Sequence, residues 1–189
     1  MGSTGSSLSV LTQDILEEYT ILTYLNKAEI LHLYKLFSKL DRTGQLQNLE
    51  FRFPPECVES LFPQIQFNPF KDRIFKVFSS EKDEKLSFED MLDLCSVMSN
   101  KCPDKVKASW AFRILDFDED ECIGEQDLML AINRLTGDEG EIHAEQQKHI
   151  IDILLNEIDI SSTGKIGQLE FMHAVGKISD FPNSFCFRL

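Results

Sequence analysis

Apolar positions along this chain gather into short stretches that recur around polar, acid-rich gaps. Trp110, Phe112, Ile114 and Leu115 precede a gap of twelve residues, and Leu128, Leu130, Ile132 and Leu135 follow it. Apolar spacing of this kind predicts an amphipathic helix on each side of a loop. The layout returns downstream, where Ile150, Ile153 and Leu154 lead into a second gap and Phe171, Met172 and Val175 leave it. Upstream, Phe70 to Phe78 and Met91 to Met98 flank a third gap. Nearer the N-terminus, Asn26-Lys-Ala-Glu29 reads as a helix start, an N-cap residue with an acid three positions on. Ile30, Leu31, Leu33, Tyr34 and Phe37 continue it.

The gaps carry the chemistry. Residues 116–127 place Asp116, Asp118, Asp120 and Asp127 at positions 1, 3, 5 and 12 of one loop. That is the ligand spacing of an EF-hand, in which alternate residues of a tight turn point oxygens at one cation. Cys122 at position 7 offers its backbone carbonyl, and Ile123 at position 8 suits the short strand that pairs two such loops. The loop starting 43 residues later repeats the pattern with Asp159, Ser161, Thr163, the Lys165 carbonyl and Glu170, with Gly164 at position 6 and Ile166 at position 8. Residues 79–90 are a degraded copy. Leu86 and Asp90 hold positions 8 and 12, but Ser79 stands first, Glu84 replaces glycine at position 6, and Lys82 and Lys85 add positive charge. The expectation there is a helix-loop-helix without tight cation binding. Asp41 to Phe53 shows no ligand pattern in register with an apolar position 8, so the first hand is expected to be structural only. Each hand alone leaves an apolar helix face in water, so hands pair. The fold class is therefore all-α, four EF-hand units in two paired lobes with helical extensions at both ends. Residues 1–100 would form the lobe of two non-binding hands, and 101–189 the lobe of two binding hands with a tail helix.

Composition narrows the function. The chain has 189 residues, 42% of them apolar, enough for a real core. Its net charge of −13 divides as −5 over residues 1–100 and −8 over 101–189, which fits cation cages in the second half and argues against nucleic-acid partners. Five cysteines form no C-x-x-C pair and read as reduced thiols of a cytosolic or nuclear protein. No nucleophile elbow, phosphate loop or dinucleotide fingerprint is present, so no enzyme is expected. Position 12 separates the cations. Glu170 reaches with both oxygens, as seven-coordinate Ca²⁺ prefers, while the shorter Asp127 favours the six-ligand geometry Mg²⁺ tolerates.

The stretches NPFKDRIFKVFS, LSFEDMLDLCSVMS, AFRILDFDED, RLTGDEGE and SDFPNSF resemble the calcium- and integrin-binding protein family, over about residues 8–189. Its integrin-binding first member is the nearest likeness. The family is similar in fold to calcineurin B and the neuronal calcium sensors. The resemblance implies a small sensor whose first two hands are empty and whose last two hold Ca²⁺ or Mg²⁺. It implies partners that offer apolar helices, such as integrin α-subunit cytoplasmic tails, kinases and channel subunits. The alternative is a constitutive regulatory subunit in the manner of calcineurin B, with structural cations. Two departures qualify the likeness: Glu121 replaces glycine at position 6 of the third loop, and Ser161 and Thr163 stand where aspartate is commoner.

A groove for a partner helix would come from Phe112, Ile114, Leu115, Leu128, Ile132, Leu135, Ile150, Ile153, Leu154, Phe171, Met172 and Val175, which exceed what one mutual interface needs. Many of these must equally be ordinary core. The tail supplies a candidate lid: Asp180 is placed to cap a short helix, Phe181 and Phe185 fall on one face four residues apart, and Leu189 continues the line. At the other end Met1-Gly2-Ser3-Thr4-Gly5-Ser6 fits the acylation pattern for a myristoyl group on Gly2. One acyl chain gives marginal, reversible anchoring, so the expected location is the cytosol with peripheral membrane contact, or the nucleus.

Overall fold

The computed structural model describes residues 10–41, 48–137 and 142–186. Gly2, Leu189 and the acidic linker residues Asp138, Glu139 and Glu141 lie outside them. The fold is all-α, with helices α1 (Gln13–Leu22), α2 (Lys27–Ser38), α3 (Pro55–Glu59), α4 (Pro63–Gln66), α5 (Lys71–Phe78), α6 (Phe88–Val97) and α7 (Asp104–Leu115) in order. Strand β1 (Cys122–Ile123), α8 (Glu125–Thr136), α9 (Ala144–Ile158), β2 (Ile166–Gly167), α10 (Gln168–Val175) and α11 (Phe181–Ser184) follow. Contacts divide the chain into two compact units. The first draws on Met1–Phe67, Phe75–Cys102 and Cys186–Leu189; the second on Asn68–Ile74 and Pro103–Phe185. The division falls close to residue 100, and it also assigns residues 68–74 to the second unit.

In the first unit, local chemistry sets the helix starts. Asn26 Oδ1 accepts the Glu29 N–H at 3.0 Å while Glu29 Oε2 accepts the Asn26 N–H at 2.7 Å, a reciprocal cap that satisfies two otherwise orphaned donors. Ser87 and Asp90 form the same box at the start of α6. Proline opens α3 and α4, where the first turn needs no N–H. The core centres on Phe88, which is fully buried. Tyr19, Tyr34 and Phe37 surround its ring at centroid distances of 5.9, 5.6 and 5.4 Å. Such tilted and edge-on contacts add to the area term.

The structure sets the register of the first hand, which the sequence left open. Phe53 and Leu86 form an antiparallel bridge, each N–H donating to the other's carbonyl at 2.9 Å. Leu86 is position 8 of the second loop, so Phe53 is the apolar position 8 of the first. The register was invisible in the sequence because no run of ligand residues precedes Phe53.

In the second unit β1 pairs antiparallel with β2, Ile123 opposite Ile166 and Cys122 opposite Gly167. Both isoleucines are buried with Ala111, Phe112 and Phe171 in one cluster, where the two rings meet edge-on at 5.7 Å. This strand pair sits between the two loops and holds their position-8 residues in the core. Position 6 is left-handed in both loops. Glu121 has φ 67° and Gly164 φ 82°, and position 4 of each loop is also left-handed, at Glu119 (60°) and Ser162 (55°). A glutamate in that conformation costs about 1–2 kcal/mol that glycine does not.

Candidate metal centre

The third loop starts at the C-terminus of α7 and ends in the first turn of α8, so its first and last ligands ride on rigid helices. Asp116, Asp118 and Asp120 each turn one oxygen to within 4.8 Å of the others. Asp116 is buried, while Asp118 and Asp120 are exposed. Backbone amides shape the cage: Asp116 accepts the N–H groups of Asp120 (3.2 Å) and Glu121 (3.1 Å), and Asp120 accepts that of Cys122 at 3.0 Å. Asp127 closes it, taking the Phe117 N–H on Oδ1 and the Gly124 N–H on Oδ2, each at 2.9 Å. Burial pushes the Asp116 carboxyl above the ordinary aspartate range, and the nearby Asp127 and Asp120 charges push the same way against the amide bonds. A concentrated set of hard oxygens under mutual repulsion is the donor chemistry of Ca²⁺ or Mg²⁺. These residues fit such an ion, with the Cys122 carbonyl at position 7.

The fourth loop repeats the scaffold with less charge. Asp159 accepts the N–H groups of Thr163 (3.0 Å) and Gly164 (2.7 Å), the same positions that Asp116 serves. Glu170 Oε1 accepts from both the backbone and the hydroxyl of Ser161, and Oε2 takes the Gly167 N–H at 2.8 Å. The Ser161 hydroxyl, with the Gly167 and Ser161 amides, holds the Glu170 carboxyl below its ordinary range. Asp159, Ser161, Thr163, the Lys165 carbonyl and Glu170 are all oxygen donors and fit a divalent cation, with two carboxylates rather than four.

Three basic side chains shape these loops and were not picked out from the sequence. Lys165 was read only for its carbonyl, yet its ammonium crosses to Asp120 Oδ2 of the third loop and lowers the Asp120 carboxyl pKa. Arg73 is buried. It donates to the carbonyls of Arg113 (3.0 Å), Ile114 (3.3 Å) and Asp116, and to Glu119 Oε1 at 3.2 Å. A cation there satisfies the free carbonyls at the end of α7 and complements the helix dipole where the third loop begins. Two guanidinium groups lie over the Phe117 ring, Arg73 at 5.6 Å and Arg134 at 4.7 Å from its centroid. Arg134 also pairs with both oxygens of Asp72. Residues 68–74 are thereby tied to the third loop. An arginine inside the apolar run Phe70 to Phe78 was the one available signal.

The expected groove residues separate by burial. Phe112 and Phe171 are core, and Leu115, Leu128 and Val175 pack against them. Ile114 is buried, Ile132, Ile150, Leu154 and Met172 are half-buried, and Leu135 and Ile153 are exposed. Phe181 and Phe185 rest on the same cluster, stacked at 6.1 Å and 16°. Asp180 departs from its expected role: its side chain makes no cap bond to the backbone, and its carbonyl instead accepts the Asn183 and Ser184 N–H groups. Proline at the second helical position allows so short a turn to close on carbonyl bonds alone. Beneath it, Lys107 is only 1% exposed and its ammonium donates to the Pro182 carbonyl at 3.1 Å.

A family model described as an EF-hand domain pair matches residues 105–176. Calcium and integrin-binding family member 2 of Drosophila melanogaster is 34% identical over 191 residues, covering 98% of this chain and all of the relative. The Homo sapiens member 2 is 33% identical over 190 residues at the same coverage. Homo sapiens member 3 is 31% identical over 191 residues, again 98% of this chain and 100% of the relative. The chain belongs to the calcium and integrin-binding family. These relatives are second and third members, and the expected likeness to the first rests on the sequence stretches alone.

Because Lys165 holds a position-5 carboxylate, it should compete with a cation entering the third loop. Lys165→Met should tighten cation binding there by about two- to fivefold, read by calorimetry with Ca²⁺ and with Mg²⁺. Unchanged affinity would mean the ion pair does not compete.

Proposed function

We propose that this calcium and integrin-binding family member is a Ca²⁺- and Mg²⁺-binding regulator that takes an amphipathic helix of a partner protein into the apolar face of its second unit. The observation carrying this reading is the seat of the tail. Phe181 and Phe185 present i, i+4 aromatic anchors to the cluster of Phe112, Ile123, Ile166 and Phe171. That is the contact a target helix would make. A segment of the chain thus stands in for the partner, and the partner gains the face when the tail leaves. Integrin α-subunit cytoplasmic tails are the first class to test, since the relatives carry integrin binding in their names; kinases and channel subunits follow from the family resemblance. Regulation is by binding, not catalysis.

The cations divide by the length of position 12. Asp127 holds the third hand in a compact cage suited to Mg²⁺ at resting Ca²⁺, and Glu170 makes the fourth hand the Ca²⁺-dependent one. Gly2 acylation would add reversible membrane contact, and intact mass after expression in a eukaryotic host decides it: retained Met1 or a bare Gly2 removes that part.

A second reading, a constitutive subunit with structural cations, draws support from the buried Lys107–Pro182 bond, since a buried ammonium left without its acceptor is costly. One experiment separates the two. Deleting residues 180–189 should raise both integrin-tail peptide affinity and hydrophobic-dye binding in the Ca²⁺ form, and the near-isosteric Lys107→Met should act in the same direction by less. Unchanged affinity with a lower melting temperature assigns the tail to the permanent core. Calorimetry tests the cation assignment. Glu170→Gln should weaken Ca²⁺ binding at one site by about tenfold or more while Asp127→Asn chiefly weakens Mg²⁺ binding. An unaltered Ca²⁺ affinity in Glu170→Gln sinks it.

A further inference from the structure

The degraded second loop, residues 79–90, is filled by a side chain. Arg52 lies one residue before Phe53, which bridges to Leu86, so its side chain starts at the seam between the two hands. Its side chain is 13% exposed. Nη2 donates to Ser79 Oγ (2.7 Å), Asp83 Oδ1 (2.9 Å) and the Lys85 carbonyl (2.7 Å). Nη1 donates to Ser80 Oγ (2.7 Å) and Asp90 Oδ2 (2.9 Å). Nε is buried without a hydrogen-bond partner, and its closest carboxylate is Glu81 at 3.8 Å. Counted along the loop, Ser79, Glu81, Asp83, Lys85 and Asp90 are positions 1, 3, 5, 7 and 12. They are the positions from which an EF-hand ligates its ion, and position 7 contributes its carbonyl as it would to a metal.

The loop backbone agrees. Lys82 and Glu84, positions 4 and 6, have φ 56° and 65°, matching the left-handed pairs of the third and fourth loops. No glycine is present to make that conformation easy, so contacts elsewhere must hold it. Asp90 Oδ1 accepts the Ser80 N–H, as Asp127 accepts that of Phe117. The second loop therefore keeps a ligand-ready shape, with one carboxylate fewer than the third at the ligand positions and two lysines of its own.

We propose that Arg52 is the resident cation of the second hand: the first hand donates a tethered guanidinium into the place a divalent ion would take, which fixes the second hand in its loaded form at every Ca²⁺ concentration. A planar fork with five N–H donors can satisfy several oxygens at once, which a lysine ammonium cannot match in geometry. Lys165 marks the contrast. It also stands one residue before a bridging position, Ile166, and reaches across to its partner loop, but among the described residues its ammonium bonds Asp120 alone of the third loop's ligand positions. A tether also removes the association step, since the charge is never diluted into solvent. The consequence is a first unit indifferent to Ca²⁺, while the second unit responds to it.

The test is to remove the guanidinium from the full-length chain, as Arg52→Ala and Arg52→Gln, and ask whether a divalent ion replaces it. Melting in chelator should fall for both variants and recover in millimolar Ca²⁺ by more than the wild type gains. In Ca²⁺ titrations followed by amide NMR, residues 79–90 should shift saturably in the variants, with a dissociation constant on the order of 10⁻³ M or tighter, and stay still in the wild type over the same range. If a variant does not fold in chelator, refolding on Ca²⁺ addition supports the proposal and failure to refold overturns it. It is equally overturned by wild-type melting in chelator, by a folded variant whose residues 79–90 ignore Ca²⁺, or by wild-type amides in that loop that titrate.

Discussion

A loop that turns several oxygens toward one centre stores repulsion, and each hand of this chain has to answer it with positive charge or with N–H groups. The third loop answers with backbone amides on Asp116 and Asp127 and with Lys165 on Asp120. The fourth lowers the demand by using Ser161 and Thr163, neutral donors, between two carboxylates. The second is answered by Arg52 from the neighbouring hand. The left-handed residues at positions 4 and 6 recur in all three loops because that backbone aims the amides and oxygens inward, whatever side chains the positions carry.

Pairing makes these answers available. Ile123 against Ile166 and Phe53 against Leu86 are short contacts, yet each buries its residues and fixes two loops at hydrogen-bonding distance. Neither pair would survive as an isolated ribbon in water; the surrounding helices stabilise it by burying apolar area. Once the seam exists, the residue just before the bridging position can cross it. In the first unit that residue is an arginine long enough to reach five positions; in the second it is a lysine that reaches one.

The second unit shows how one apolar cluster serves several purposes. Phe112, Ile123, Ile166 and Phe171 hold the hands together, and the faces they leave uncovered seat Phe181 and Phe185. Beneath the tail, Lys107 satisfies a carbonyl that a short helix leaves free, and at the opposite end of α7 Arg73 does the same for Arg113, Ile114 and Asp116. One helix is thus held at both ends by buried cations, one fixing the tail and the other the start of the third loop.

The sequence by itself determined the helix-loop-helix layout, the third and fourth loops, the reciprocal cap of Asn26 and Glu29 and the aromatic pair of the tail. Each is written in spacing within a dozen or so residues, where period and capping chemistry act. Burial of the expected groove residues was less legible, because apolar periodicity marks an inward face without saying what covers it: Phe112 and Leu135 look alike in the pattern, and one is core while the other is exposed. The register of Phe53 and the partners of Arg52, Arg73, Lys107 and Lys165 were decided only by the tertiary structure. A long basic side chain carries no periodic signal, and its acceptors lie 27–38 residues away for Arg52 and 75 for Lys107. Which carbonyl or carboxylate comes within reach depends on how loops pair across a seam, and that is fixed only when the core has formed.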